Sequence, residues 1–366
     1  MVGGRGARAG PRRLRGRAAA GAVMSGAEQE IREVLRDAGA EGWVHAMPLT
    51  GATTRVSAPA REAGPAREAW PGSGTEAGEF GPEAGPGREG RSGSETGPGR
   101  EIGIGADDLV VTASVYKLPL VVALCRAFDA GRIDPRARVR LNPPSCTPGP
   151  TGLATFLDPV TVSWRDMAAS MIGVSDNTSA DVILGEVGLD AVAETLAELG
   201  LERTRVVGGT ADSHASLVRD TGAATAAEAF AELFDNDAAH TVSAYDPAYA
   251  SATTPREMTR LLDLIWSDAV ASPQQCAFIR RLLSNQVWMH RVRAGFPSRG
   301  VHVAGKTGTV GAVRNEVSVV EFEGEVPVAV AVFTLAARAD AFLPKVDAAI
   351  ADCARIAVND LRSGRL

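Results

Sequence analysis

The sequence Ala113-Ser114-Val115-Tyr116-Lys117-Leu118-Pro119 places a serine three residues before a lysine. The apolar residues that follow are typical of a buried helix. Positions i and i+3 of a helix share a face, so we expect the Ser114 hydroxyl within hydrogen-bonding reach of the Lys117 amine. This is the arrangement of a nucleophile beside its own base. Taken alone, however, the pattern favours an ordinary helix start with serine as the cap.

Lysine is rare in this chain. Of the 38 lysine and arginine residues, only Lys117, Lys306 and Lys345 are lysines. An arginine cannot be deprotonated in a protein, whereas a buried lysine can lose its proton. Lys117 and Lys306, two of the three lysines, each lie in one of the short motifs described below.

The composition excludes several classes of function. The chain has 366 residues, is 45% hydrophobic and 22% charged, and carries a net charge of -6, so no basic field indicates nucleic-acid binding. The four cysteines show no C-x-x-C spacing, which indicates neither a zinc site nor a disulfide framework. No run of about 18 apolar residues predicts a membrane span. We expect a monomer that acts on a small molecule without a metal or cofactor.

The chain is predicted to form one domain with an interruption. Residues 57–100 are rich in Gly, Pro, Ala, Glu, Arg and Ser, so they cannot bury a core and are predicted to be a disordered insertion. The domain therefore comprises residues 27–56 and 101–366. Residues 1–26 are Arg- and Gly-rich and are interpreted as a disordered or misassigned extension. A cytoplasmic location is favoured, and secretion is left open.

Strand patterns occur at both ends of the domain, with helical patterns between them. This order predicts an α/β (α+β) fold, in which an antiparallel five-stranded sheet built from both chain ends is flanked by helices and carries an inserted all-helical region. Residues 205–253 are predicted to be loop-rich, with one helix at 222–234. The five predicted strands are 42–47, 101–104, 301–310, 316–322 and 327–335.

Three short motifs follow one another along the chain. They are Ser114-x-x-Lys117, Ser175-Asp176-Asn177 and Lys306-Thr307-Gly308. Each is compatible with a plain helix cap or turn when taken alone. Together, in this order, they are the set found in penicillin-recognising serine enzymes. The flanking segments SVYKLPLVVAL, WRDMAASMIGVSDNTSADVIL, TTPREMTRLL and HVAGKTGTVGAVRNEVSVV resemble the class A beta-lactamase family.

The resemblance implies a fold and a set of roles. It covers about residues 27–56 and 101–360, and it implies a beta-lactamase/transpeptidase-like fold that opens a beta-lactam or related amide or ester through an acyl-Ser114 intermediate. Ser114 would be the nucleophile, and the neutral Lys117 amine its base. Burial and the nearby Lys306 charge would both lower the pKa of Lys117.

The remaining roles also follow from the resemblance. Ser175 would relay a proton between Lys306 and the leaving nitrogen, and Asp176 would brace its loop. The backbone N–H groups of Ser114 and Thr309 would form the oxyanion hole. The implied substrate-binding residues are Asn177, Thr307, Gly308, Thr309 and Arg314, together with Lys306, which would attract the substrate carboxylate.

One element of the family pattern is missing. Class A enzymes carry a glutamate in an E-x-x-L-N setting that activates the water for deacylation, and residues 205–214 contain no such motif. Asp212 or His214 are possible substitutes, although solvated loop residues are the favoured interpretation of both. The sequence therefore leaves open a hydrolase, a penicillin-binding or sensing protein that is acylated without efficient turnover, and a D-Ala-D-Ala peptidase or esterase.

Overall fold

The computed structural model describes residues 25–50, 100–236 and 242–362. The predicted insertion at 57–100 and the extension at 1–26 lie almost wholly outside these described residues. Within them, no helix combines the length and the apolar character needed to cross a membrane.

The described residues form nine strands. They are β1 (Ala40–Pro48), β2 (Ile102–Ile104), β3 (Val110–Val111), β4 (Arg138–Leu141), β5 (Val160–Ser163), β6 (Ala252–Thr253), β7 (Val301–Val310), β8 (Val313–Phe322) and β9 (Val328–Ala336).

The same residues form ten α-helices. They are α1 (Gly26–Asp37), α2 (Lys117–Asp129), α3 (Trp164–Gly173), α4 (Asn177–Val187), α5 (Leu189–Glu198), α6 (Thr210–Thr221), α7 (Ala226–Phe234), α8 (Pro255–Trp266), α9 (Pro273–Ser284) and α10 (Pro344–Arg362).

The principal sheet has five strands in the order β2-β1-β9-β8-β7, and every neighbouring pair is antiparallel. Strands from the two ends of the domain meet where β1 pairs with β9, with Val44 opposite Val332. The predicted five-stranded antiparallel sheet built from both chain ends is therefore confirmed. Strand β7 has the predicted bounds, Val301–Val310.

Side chains of β9 alternate between the two faces of the sheet, as the period of a strand requires. Val330 and Val332 belong to the core shared with α1 and α10. Ala331 and Phe333 belong to the larger core on the other face, which continues into the helical region. The sheet is thus covered on both faces, and β7 is left at its edge.

Helix α2 is the centre of the helical region. All but two of its residues are buried, on every side of the helix, as expected of a helix enclosed by others. It contacts α3, α4, α5 and α9. A helix fixed on all sides gives a rigid base for the residues at its N-terminus, where Lys117 lies.

Two local expectations need correction. The helix expected to begin at Ser114 begins at Lys117, because residues Ala113–Tyr116 form a separate 3-10 turn. The region 205–253 was expected to contain one helix, but it contains both α6 and α7. Helix α6 buries only Leu217 completely, so its apolar periodicity was too weak to reveal a helix.

Candidate active site

Ser114 lies in the tight turn between β3 and α2 and faces a cleft. The preceding residue, Ala113, has a φ of 44°, a left-handed conformation that is costly for a residue with a Cβ. Asn315 of β8 holds the segment before the turn, since its side-chain amide donates to the carbonyls of Val111 at 2.8 Å and Thr112 at 3.2 Å. Strand β8 therefore fixes the segment that leads into the turn carrying Ser114.

Lys117 lies under this turn and is completely buried. Its Nζ donates to the Ser175 carbonyl at 2.7 Å, to the Asn177 side-chain oxygen at 2.9 Å and, at 3.4 Å, to the Ser175 hydroxyl. The first motif thus contacts the second directly. The contact expected between the Ser114 hydroxyl and the Lys117 amine is not among the hydrogen bonds of the described residues.

The Ser175 hydroxyl joins the three motifs. Its Oγ lies 3.0 Å from the Lys306 Nζ and 3.4 Å from the Lys117 Nζ. Ser175 has a φ of 60°, so the loop before α4 is also held in a left-handed conformation. Lys306 comes from β7, 131 residues further along the chain, and also donates to the Thr307 carbonyl at 2.9 Å.

Burial changes the protonation of both lysines. Removal from water lowers the pKa of Lys117 to about 7, against the charges of Asp176 and Asp181, which raise it. Burial also lowers the pKa of Lys306 well below its ordinary value, and the charges of Lys117 and Arg291 add to that effect. Burial lowers the pKa of Lys117, as expected. The repulsion between the two amines lowers the pKa of Lys306 rather than that of Lys117.

The Asp176 side chain holds the Ser175-Asp176-Asn177 loop in place through buried hydrogen bonds. Its carboxylate is completely buried and accepts hydrogen bonds from the Leu153 backbone N–H at 2.8 Å, the Ser170 hydroxyl at 2.7 Å and the Ser179 hydroxyl at 2.7 Å. It also caps α4 through the Ser179 N–H. With these four partners, Asp176 connects the loop to two neighbouring segments.

Asn177 connects the site to α6. Its side-chain oxygen accepts from Lys117, and its amide donates to the Pro148 carbonyl at 3.1 Å. The Thr210 hydroxyl, at the start of α6, lies 3.4 Å from the same Asn177 oxygen and 3.1 Å from the Tyr116 hydroxyl. Thr210 was not singled out from the sequence, because no motif marks the beginning of α6.

A buried polar chain supports Thr307 from behind. The Gln286 side chain accepts from the Thr307 N–H at 2.7 Å and donates to Glu316 at 3.3 Å. Glu316 is completely buried, and burial raises its pKa. Glu316 also accepts from the Val292 N–H at 2.9 Å. These bonds fix β7 at the level of the Lys306-Thr307-Gly308 motif.

Arg291 is the site residue that sequence reasoning missed. It is buried and donates to the carbonyls of Gly308 at 3.0 Å and Asn315 at 2.8 Å, and to the Thr309 hydroxyl at 2.8 Å. Its Nε donates to Asp347 at 2.7 Å. No motif surrounds Arg291, so its role emerges only when the loop before β7 folds against the strand.

Arg314, which was predicted to bind a carboxylate, is also buried and lines the cleft. Its two terminal nitrogens donate to four backbone carbonyls, those of Gly311, Val313, Asp340 and Ala341. Its Nε is the N–H that remains for another partner. Of the two guanidinium groups beside β7, Arg291 contacts the Thr309 hydroxyl directly.

The motifs open on one cleft of about 2200 Å³. Helices α6 and α7 form one wall, and the start of α10 lies at the other end. The described residues contain no group of three or more His, Cys, Asp or Glu side chains that could hold a metal ion. The predicted site residues that line the cleft are Ser114, Ser175, Asn177, Thr307, Thr309 and Arg314.

Comparison with known sequences agrees with this geometry. The chain is 28% identical over 270 residues to the Beta-lactamase regulatory protein BlaB of Streptomyces cacaoi, covering 70% of this chain and 86% of that protein. It is 36% identical over 112 residues to the Carbapenem-hydrolyzing beta-lactamase KPC of Klebsiella oxytoca, covering 30% of this chain and 37% of that one.

Solved structures share the fold. A beta-lactamase from Sphaerobacter thermophilus DSM 20745 superposes with a TM-score of 0.62 at 19% identity, covering 92% of this chain and 98% of that one. PBP-A superposes with a TM-score of 0.62 at 18% identity, covering 92% and 96%. A family model described as the beta-lactamase enzyme family matches residues 94–361. Since this match spans well over half of the sequence, the chain belongs to the beta-lactamase enzyme family.

Proposed function

We propose that this protein is a serine enzyme that reacts with beta-lactams, or with related amides or esters, through an acyl-Ser114 intermediate. One observation carries the proposal. The Ser175 hydroxyl lies within 3.4 Å of the Lys117 amine and 3.0 Å of the Lys306 amine, in the cleft that Ser114 faces. We assign Ser114 as the nucleophile, Lys117 as its base and Ser175 as the proton relay.

The first step is attack on the substrate carbonyl. Lys117, with its pKa lowered to about 7, is partly neutral at neutral pH and takes the Ser114 proton as the new bond to carbon forms. The backbone N–H groups of Ser114 and Thr309 stabilise the developing oxyanion. The proton then passes through the Ser175 hydroxyl to the leaving nitrogen, whose bond to the carbonyl carbon breaks.

The edge of β7 recognises the other end of the substrate. Thr307 and Thr309 line the cleft and supply hydroxyls for the carboxylate that beta-lactams carry, and the buried Lys306 amine behind them adds positive charge in its protonated form. Arg291 holds the Thr309 hydroxyl at 2.8 Å and adds its charge to this side of the cleft. We assign to Asn177, which lines the same cleft, the binding of the substrate's amide side chain.

A second candidate function differs in the fate of the acyl group. An acylated sensor would keep the group bound, and the relative from Streptomyces cacaoi is named a regulatory protein. The absence of an E-x-x-L-N glutamate from residues 205–214 also favours slow release. Both candidates share acylation of Ser114, so the rate of deacylation separates them.

The experiment follows acylation and turnover separately. The purified protein is incubated with a fluorescent penicillin and, in parallel, with a chromogenic cephalosporin. We expect one covalent label per chain, located on Ser114 by peptide mass analysis. Colour change that continues well beyond one equivalent per chain supports a hydrolase, whereas a stable label with at most one equivalent of colour change supports a sensor.

Two variants control the labelling. Ser114→Ala should abolish it, because the nucleophile is removed. Ser267→Ala lies at the exposed end of α8, where the hydroxyl bonds, among the described residues, only to carbonyls of its own helix, and it should label normally. Equal labelling of the Ser114→Ala variant and the native protein would overturn the proposal.

A further inference from the structure

The first turn of α6 lies beside Asn177 and Lys117. The Asp181 carboxylate accepts the N–H groups of Thr210 at 2.6 Å and Ala211 at 2.8 Å, and so anchors the start of the helix to α4. Through this anchor, Thr210 Oγ1 reaches the Asn177 oxygen that also accepts from Lys117. The start of the helix is thus linked to Lys117 through the Asn177 side chain.

His214 lies four residues after Thr210, so the two side chains share one face of α6. Both line the cleft that contains Ser114 and Ser175. The His214 ring is half-buried and packs edge-on against Phe230 of α7, with 5.6 Å between ring centroids. Among the described residues, its ring nitrogens make no hydrogen bond to the protein. The imidazole is thus positioned by packing and keeps a nitrogen available to a ligand.

The carboxylates that line the described cleft are already engaged. Asp212 accepts from the Gly209 N–H at 2.8 Å, and Asp220 accepts from the Ser243 N–H at 2.7 Å. Asp347 and Asp352 pair with the arginines at 291 and 355. The other cleft histidine, His290, lies 3.9 Å from the Asp347 carboxylate. Arg219 also lines this wall but carries only N–H donors, so His214 is the α6 group in the described cleft whose unengaged nitrogen can accept a proton.

We propose that His214 is the general base that releases the acyl group from Ser114. This inference rests on the proposed function. The neutral imidazole takes a proton from a water molecule as the water oxygen bonds to the acyl carbonyl carbon. The bond between that carbon and Ser114 Oγ then breaks, and the imidazolium returns the proton to the serine oxygen. The products are a carboxylic acid and free Ser114.

The groups that face His214 favour its neutral form. Burial lowers its pKa, the positive charge of Lys117 on α2 acts in the same direction, and the Asp181 carboxylate on α4 opposes them. Asp212, Arg219 and Asp220 lie on its own helix. At neutral pH the imidazole therefore accepts a proton, and it loses that capacity as the pH falls through its pKa.

The test measures deacylation apart from acylation. Protein acylated with penicillin G is freed of excess ligand, and the loss of the acyl mass is followed by intact-mass spectrometry from acidic to neutral pH. The native release rate should rise with pH, with the inflection of a single group. His214→Gln should acylate normally and release the acyl group about 100-fold or more slowly, the usual contribution of a general base. Its remaining release should lose that inflection.

His302→Gln is the matched control. His302 is exposed on β7, forms a hydrogen bond with Glu321 and is not among the residues that line the cleft. It should release the acyl group at the native rate. A native release rate that is flat across this pH range, or absent at every pH, overturns the inference without any variant. Normal release by a folded His214→Gln variant also overturns it. Failure of the native protein to acylate would instead contradict the proposed function.

Discussion

Gly308 of β7 lies directly against the backbone of Thr112, just before the turn that carries Ser114. A Cβ at position 308 would stand 2.5 Å from the Thr112 carbonyl oxygen and 3.1 Å from a methyl group of Val115. Real Cβ atoms do not approach backbone oxygens so closely. The distance between the second lysine motif and the nucleophile is therefore set by the absence of a side chain at Gly308.

Gly308→Ala should separate β7 from the Ser114 turn. Overpacking of this kind costs about 1–3 kcal/mol, and here the displaced atoms belong to the active site. We expect the acylation rate to fall more than the stability does, since the oxyanion donors of Ser114 and Thr309 lose their relative positions. Stopped-flow acylation and urea unfolding measure the two effects. Gly300→Ala is the matched control, because a Cβ there meets no atom within 4 Å.

Acylation should depend on the protonation of Lys117. Because its pKa is about 7, the rate should rise through neutral pH and level off when the amine is neutral. Lys117→Arg keeps the charge but cannot supply a base, so we expect acylation to become undetectable. Lys345→Arg, on the exposed surface of α10, should behave as the native protein does. A pH profile unchanged by Lys117→Arg would contradict the role of Lys117 as the base.

Stability should also vary with pH because of Lys117. An unfolded lysine has a pKa of about 10.4, so between about pH 7 and that value the unfolded chain binds more protons than the folded one. The free energy of unfolding must then rise with pH over this window. Lys306 contributes in the same direction, since its pKa is also lowered. Urea unfolding at several pH values should show a smaller slope for Lys117→Met than for the native protein.

Asp176→Ala should destabilise the loop of the second motif. The change removes the acceptor of three buried donors, the Leu153 N–H and the Ser179 N–H and hydroxyl, and of the partly buried Ser170 hydroxyl. An unsatisfied buried donor costs about 1–3 kcal/mol, so we expect a loss of about 3 kcal/mol or more. Asp158→Ala, at an exposed position, serves as the control in urea unfolding. A loss below about 1 kcal/mol would show that water replaces the carboxylate.

Arg291→Ala should weaken both stability and acylation. The change leaves two β7–β8 carbonyls without their donor and Asp347 without its charge partner. Breaking a fully buried ion pair from one side costs about 3–5 kcal/mol, and because Asp347 is partly exposed we expect a loss at or below that range. Asp347→Ala and the double variant complete a cycle that isolates the pair energy. If the three variants lose equal stability, the ion pair accounts for the whole loss in Arg291→Ala. A larger loss for Arg291→Ala assigns the remainder to the carbonyl contacts.

The candidate residues of the site could be predicted from the sequence because the motifs that contain them are short and local. Ser114 and Lys117 lie within one turn, and the order of the three motifs marks them as a set. Helix α6 and Arg291 were not accessible for a physical reason. Helix α6 buries a single residue completely, and Arg291 makes its contacts with strands that are distant in sequence. Neither feature therefore produces a local hydrophobic periodicity in the sequence.

The amino-acid sequence by itself determined the residue types of the candidate site, because they lie in short motifs. It also determined the strands of the sheet, because each strand has a short run of apolar or alternating residues. Only the tertiary structure decided how the motifs meet. The Ser175 hydroxyl reaches Lys306 across 131 positions of the chain, and Thr210 reaches Asn177 across 33. Such contacts depend on how helices and sheet pack together. The lowered pKa values of the two lysines follow from the same packing, because burial is a property of the folded chain.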